Sequence, residues 1–86
     1  MPTVAVIDGV RIMIFPMDHE PPHVHAFGAA FRVKLAIADA RVLEGRGTIG
    51  PAVLRRLQGW VVGHRERLGR LWIDAAVGNP IGKVED

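Results

Sequence analysis

The sequence predicts an α+β domain in which a small antiparallel meander sheet packs on one long C-terminal helix. Three observations carry that expectation. Two β-rich runs near the start are joined by Asp8-Gly9. The segment up to Glu44 then alternates polar and apolar residues between turn signals. From Pro51 the apolar period changes to three- and four-residue steps.

The first run is Val4-Ala5-Val6-Ile7 and the second is Val10 to Phe15. An Asp-Gly pair between them predicts a type I′ hairpin, because both central residues need positive φ. Pro16 ends the second strand. The segment from Asp18 to Pro22 reads as a loop, since paired prolines donate nothing to a ladder. His23-Val24-His25-Ala26-Phe27 fits a third strand, and Gly28-Ala29-Ala30 turns it into a fourth, Phe31 to Ile37. That fourth run puts Phe31, Val33, Leu35 and Ile37 on one face, with Arg32 and Lys34 on the other. Asp39-Ala40 turns into a short fifth strand, Arg41 to Glu44, followed by a loop containing Gly45, Gly47 and Gly50.

The helix is predicted from its stripe: Val53, Leu54, Leu57, Trp60, Val61, Leu68, Leu71, Trp72 and Ala75. Thr48 is the expected N-cap, and Pro51 suits the first turn. Gly59, Gly63 and Gly69 each weaken it by about 1 kcal/mol against Ala, with Gly63 the place for a bend. Gly78-Asn79-Pro80 stops it. The expected layout is one domain over residues 1–78 with a tail over 79–86.

Eighty-six residues, 49% of them apolar, suit one compact core. Eleven basic against nine acidic side chains leave a net charge of +2, which permits a nucleic-acid partner without demanding one. With no cysteine there is no thiolate nucleophile, disulfide or Cys-ligated zinc. No apolar stretch approaches the ~18 residues of a membrane helix, and no signal segment precedes the first strand, so the chain reads as an unexported, cytoplasmic protein.

Three of the four histidines fall in His19-Glu20-Pro21-Pro22-His23-Val24-His25. In a strand, His23 and His25 share a face with roughly 6.6–7 Å between their Cα atoms. Two imidazoles so placed can converge on one divalent transition ion, with His19 or Glu20 brought back by the stiff Pro-Pro segment as a third ligand. An open site of that kind suits Zn, Fe(II), Mn or Ni. The same residues allow a metal-free reading, in which His23 and His25 share the outer face with Arg32 and Lys34. That grouping makes a phosphate site whose paired imidazoles act as general acid and base. The bland alternative is that the histidines hydrogen-bond backbone carbonyls in an ordered loop. His64 reads as a satisfied, partly buried helix histidine. The helix arginines Arg55, Arg56, Arg65, Arg67 and Arg70 read as a solvated face.

Met1-Pro2-Thr3, the Asp8-Gly9 hairpin, the His19–His25 string and the helix ending near Trp72 resemble domain-of-unknown-function family 4160, small bacterial proteins of about this length. The resemblance runs from about Met1 to Trp72. It implies that His19, Glu20, Pro21, Pro22, His23 and His25 act as one unit. Members are often encoded beside another small domain of unknown function, which implies a protein partner from a neighbouring gene and a toxin–antitoxin-like pairing. Members commonly carry charged residues after the signature, whereas this chain has Ala26-Phe27-Gly28-Ala29-Ala30.

Three functional expectations follow. The first is a partner-binding module with the histidine segment at its functional surface. The second is a small enzyme using His23 and His25, either a metal-dependent hydrolase or oxygenase-like site or a metal-free nuclease. The third is a nucleic-acid-binding module acting through Arg32, Lys34 and the helix arginines.

Overall fold

A computed structural model describes residues 3–84; Met1 and Pro2, with which the resemblance begins, and Glu85 and Asp86, at the end of the expected tail, lie outside the described residues. Five strands form one antiparallel sheet in sequence order: β1 (Thr3–Ile7), β2 (Val10–Met13), β3 (His23–Phe27), β4 (Phe31–Ala36) and β5 (Val42–Gly47). The β1–β2 hairpin turns at Asp8 and Gly9, both with positive φ (52° and 77°), as their sequence predicts. The sheet is therefore the expected meander, with β3 at its centre.

Two helices follow, α1 (Pro51–Gly63) and α2 (Arg65–Ala76). The expected single long helix is thus broken at His64, which leaves helical geometry (φ −116°, ψ 20°). Gly63 lowers helix propensity there, and the His64 ring adds a bond of its own to the preceding turn beside the ordinary helical one from its N–H. Its backbone N–H donates to the Trp60 carbonyl at 3.0 Å and its Nδ1 lies 2.8 Å from the same oxygen. The His64 ring also stacks on Trp60 with centroids 4.5 Å apart. At the other end Gly50, not Thr48, is the N-cap, and Pro51 occupies the first turn. The fifth strand runs to Gly47 rather than stopping at Glu44, so Gly45 and Arg46 lie in the ladder instead of a loop.

Alternation decides which side of the sheet is core. Val24 and Ala26 of β3 pair with Leu35 and Val33 of β4, and all four are buried. With Ile12 and Ile14 they pack against Leu57 and Val61 of α1 and Leu68, Leu71, Trp72 and Ala75 of α2. The predicted helical stripe is the one that lands on the sheet. After α2 the chain packs back on the core: Ile81 touches it, Val84 is buried, and the Val84 N–H donates to the Val4 carbonyl at 2.7 Å. That bond occupies one acceptor on the outer edge of β1. No helix among the described residues is long and apolar enough to cross a membrane.

Candidate metal centre

The opposite face of β3 carries His23, His25 and Phe27. The chain enters this strand from the Met17–Pro22 loop, which is pinned at both ends. The Met17 N–H donates to the Ala75 carbonyl of α2 at 3.1 Å, and the Pro22 carbonyl accepts from Ile37 at 3.0 Å. Met17 adopts a left-handed conformation (φ 53°), and the Glu20–Pro21 peptide bond is cis. Between those anchors Asp18 lies against the two histidines.

Three donor atoms meet there. Asp18 Oδ2 lies 3.0 Å from His23 Nε2 and 2.9 Å from His25 Nε2, and the two nitrogens are 3.2 Å apart. Among the described residues this is the one group of three side chains with ligand atoms close enough to share an ion. An ion about 2.1 Å from three donors separates them by about 3.0 Å at octahedral angles and about 3.4 Å at tetrahedral ones. The observed triangle matches one face of an octahedron. It has the two-histidine, one-carboxylate composition of an open facial triad.

The hydrogen bond behind His23 fixes its ligand atom. His23 Nδ1 is 2.7 Å from the Pro21 carbonyl, an oxygen that only accepts, so Nδ1 carries the proton. In a neutral ring Nε2 is then a bare lone pair aimed into the triangle, the tautomer and orientation a metal ligand needs. That leaves a shortage of protons. With both rings neutral, the one ring proton available to the triangle, on His25 Nε2, cannot serve all three short contacts. Either a second proton on His23 or a cation must sit among Asp18, His23 and His25.

Electrostatics favour the forms a metal requires. Partial burial would raise the Asp18 carboxyl, but the His25 ring N–H, the His19 backbone N–H at 2.9 Å and the charges of the two imidazoles outweigh it and lower it to about 2. Asp18 is therefore ionised. Burial holds His25 below its ordinary 6.5, and the neighbouring His23 and Lys34 act in the same direction against the pull of Asp18. The rings are tightly cradled. His23 is only 1% exposed and lies 5.2 Å from the Trp72 ring, and Phe15 meets His25 edge-on at 4.3 Å.

The sequence-predicted residues divide clearly. His23 and His25 come together as their two-residue spacing implies. His19 stays outside the triangle: its side chain is 77% exposed and its Nδ1 rests 3.1 Å from the other Asp18 oxygen, Oδ1. Glu20 is exposed. Lys34 stands opposite His25 and pairs with Glu44 at 3.8 Å, while Arg32 stands opposite Phe27 and lies over its ring at 5.2 Å. The residue that sequence reasoning missed is Asp18. It precedes His23 by five positions, a spacing with no strand or helix periodicity to mark it.

The fold and site together define a small α+β protein with a carboxylate–histidine cluster where the loop before β3 meets this central strand of its sheet. The model of the family described as Domain of unknown function (DUF4160) matches residues 9–73, a span containing every side chain of the cluster. The chain belongs to that family. Nothing among curated proteins or among solved structures matches it.

Proposed function

We propose that this protein binds one divalent transition-metal ion through Asp18 Oδ2, His23 Nε2 and His25 Nε2, and that the site serves as a mononuclear metal-dependent catalytic centre. The observation that carries this reading is the triangle of donor atoms, 2.9–3.2 Å on a side, in which the Nδ1 bond to the Pro21 carbonyl turns His23 Nε2 toward an ionised carboxylate. Three ligands leave coordination positions for water and substrate, as in metal sites that activate water or polarise an oxygen of the substrate. Zn, Fe(II), Mn and Ni all accept this donor set. Of the enzyme alternatives the sequence raises, a metal-dependent hydrolase or oxygenase-like centre fits this geometry better than a metal-free nuclease. In the latter, Asp18 would hold the two histidines as imidazolium and imidazole.

Thermal unfolding with and without metal separates these. Each of the four ions, added to chelator-treated protein, is expected to raise Tm by mass action, and His25→Ala is expected to abolish the rise. An unchanged Tm with all four ions contradicts the metal reading. Nuclease activity that survives chelator but not His25→Ala supports the acid–base one.

The partner-module reading has one observation in its favour. Ile73 and Val77 lie one turn apart at the end of α2 and are 63% and 69% exposed, with Met17, 77% exposed, bonded to the same turn. A toxin–antitoxin-like partner seated there would touch the loop that carries Asp18. Co-expression with the product of a neighbouring gene, followed by size-exclusion chromatography, tests it: co-elution supports the reading and separate elution contradicts it.

A further inference from the structure

The outer face of the sheet carries a second pattern, one row along from His25. The register places Arg11, Phe27, Arg32 and Arg46 side by side across β2, β3, β4 and β5. Arg32 and Arg46 are direct cross-strand partners, an arrangement in which like charges repel. The neighbouring row of the sheet is complementary instead. Lys34, one row away, stands opposite Glu44, and Arg56 and Arg41 have Asp8 and Asp39. Among the described residues no carboxylate lies within ion-pair distance of Arg11, Arg32 or Arg46. Two of these three arginines, Arg32 and Arg46, line a cleft of about 330 Å³ together with Phe15, Phe27, His25 and the Lys34–Glu44 ion pair, in which Lys34 offsets the one carboxylate of the lining.

We infer that this row is a binding site for the phosphate of a nucleotide unit, free or within a single strand, with its ring or sugar against Phe15 and Phe27. Guanidinium groups are planar donors that match phosphate oxygens, and an anion between Arg32 and Arg46 turns their repulsion into shared attraction. Aromatic side chains interleaved with arginines on an open sheet face suit a ligand that is both planar and anionic. Within a strand, neighbouring rows lie roughly 6.6–7 Å apart, so a phosphate on the arginine row sits within one nucleotide of the His25 row. Binding rests on the arginines alone. That the bound nucleotide is the substrate rests on the metal reading: water would add to phosphorus, the P–O ester bond would break, and the departing alcohol would take up the proton that water gives, with Asp18, His23 and His25 holding the ion that would activate the water.

The test is fluorescence anisotropy with a labelled oligothymidylate, with and without chelator, together with Tm in phosphate-free buffer. Wild type is expected to bind in both conditions, with affinity falling as salt rises because phosphate contacts release counterions. Arg32→Gln and Arg46→Gln are each expected to weaken binding by about tenfold or more, the worth of one charge-assisted bond. Arg46→Gln is also expected to raise the Tm of the free protein, because the opposed pair is relieved, whereas a purely structural arginine would lower it. Arg32→Gln also loses its contact over the Phe27 ring, so its Tm is expected to rise less than that of Arg46→Gln. Arg55→Gln, on α1, is expected to change neither. Displacement of the probe by AMP identifies a free nucleotide, displacement only by unlabelled oligothymidylate identifies a single strand, and equal displacement by inorganic phosphate overturns the role given to the ring. No binding, or equal losses from Arg55→Gln and Arg46→Gln, overturns the inference. Binding that persists in chelator while no metal stabilises the protein overturns the metal reading and leaves the phosphate site standing.

Discussion

Along β3, neighbouring residues answer to different physics. Val24 and Ala26 are 0% and 1% exposed and pack in the apolar core, so an apolar residue of similar volume satisfies them. His23 and His25, each one step away on the other face, meet polar and aromatic partners at short range: 3.2 Å between their Nε2 atoms, 2.9 Å from His25 to Asp18, and 4.3 Å between the His25 and Phe15 ring centroids. The inner face makes the fold; the outer face uses the fold as a rigid mount. The difference teaches that stability and metal uptake should separate by face, and mutations can show where they do not.

The largest effects are expected on the inner face. Leu35→Ala removes a fully buried side chain and is expected to cost about 2–5 kcal/mol in urea unfolding, with metal bound per folded molecule unchanged. His23→Ala should break the separation. It lies on the outer face, yet it is buried, bonded to Pro21 and packed near Trp72, so it is expected to lose both the metal and about 2–4 kcal/mol. A His23→Ala protein as stable as wild type would show that the ring is not a structural anchor.

A smaller loss is expected at Gly47. Its φ is +83°, and a Cβ there would collide with the Ala30 carbonyl and Phe31 Cα. Gly47→Ala is expected to cost about 1–3 kcal/mol and to disturb Arg46 beside it, leaving metal uptake intact. Equal unfolding midpoints for Gly47→Ala and wild type would count against this backbone path.

Acid should sharpen the contrast further. Because folding lowers the His25 pKa from 6.5, the unfolded chain binds more protons below that pH. Metal-free protein is therefore expected to lose stability as pH falls from about 6.5 through the depressed value, and His25→Ala should remove that dependence. Asp18, lowered from 3.8 to about 2, adds a second loss between those values. Unfolding curves in chelator, stepped from pH 7.5 to pH 5, measure the first. A flat His25-dependent profile would contradict it.

How much of this was legible in the sequence depended on range. The Asp8-Gly9 hairpin, the alternation of β3 and β4 and the stripe from Leu57 to Ala75 are local patterns, and the structure follows them. The break at His64 was not legible, because Gly63 only lowers propensity while the ring stacking on Trp60 that settles the matter is specific to the folded chain. Thr48 lost the cap to Gly50 for the same reason: Thr48 is tied back through its own N–H to the Ala30 carbonyl. At the site, His23-Val24-His25 announces itself through strand period. Asp18 does not, because a left-handed Met17 and the Pro21-Pro22 turn return it to the histidines along no regular path. Arg46 was hidden by three nearby glycines that read as loop, although two of them, Gly45 and Gly47, lie in β5.

Whether Asp18 joins His23 and His25 on one ion is decided most directly by elemental analysis of wild type and Asp18→Ala after loading with Mn or Zn and gel filtration. The fold of each is checked by its circular dichroism. Wild type should retain close to one ion per chain, and Asp18→Ala, with an unchanged fold, should retain almost none. Equal metal content in the two proteins, or a wild type that retains no metal, would contradict a centre built on these three side chains.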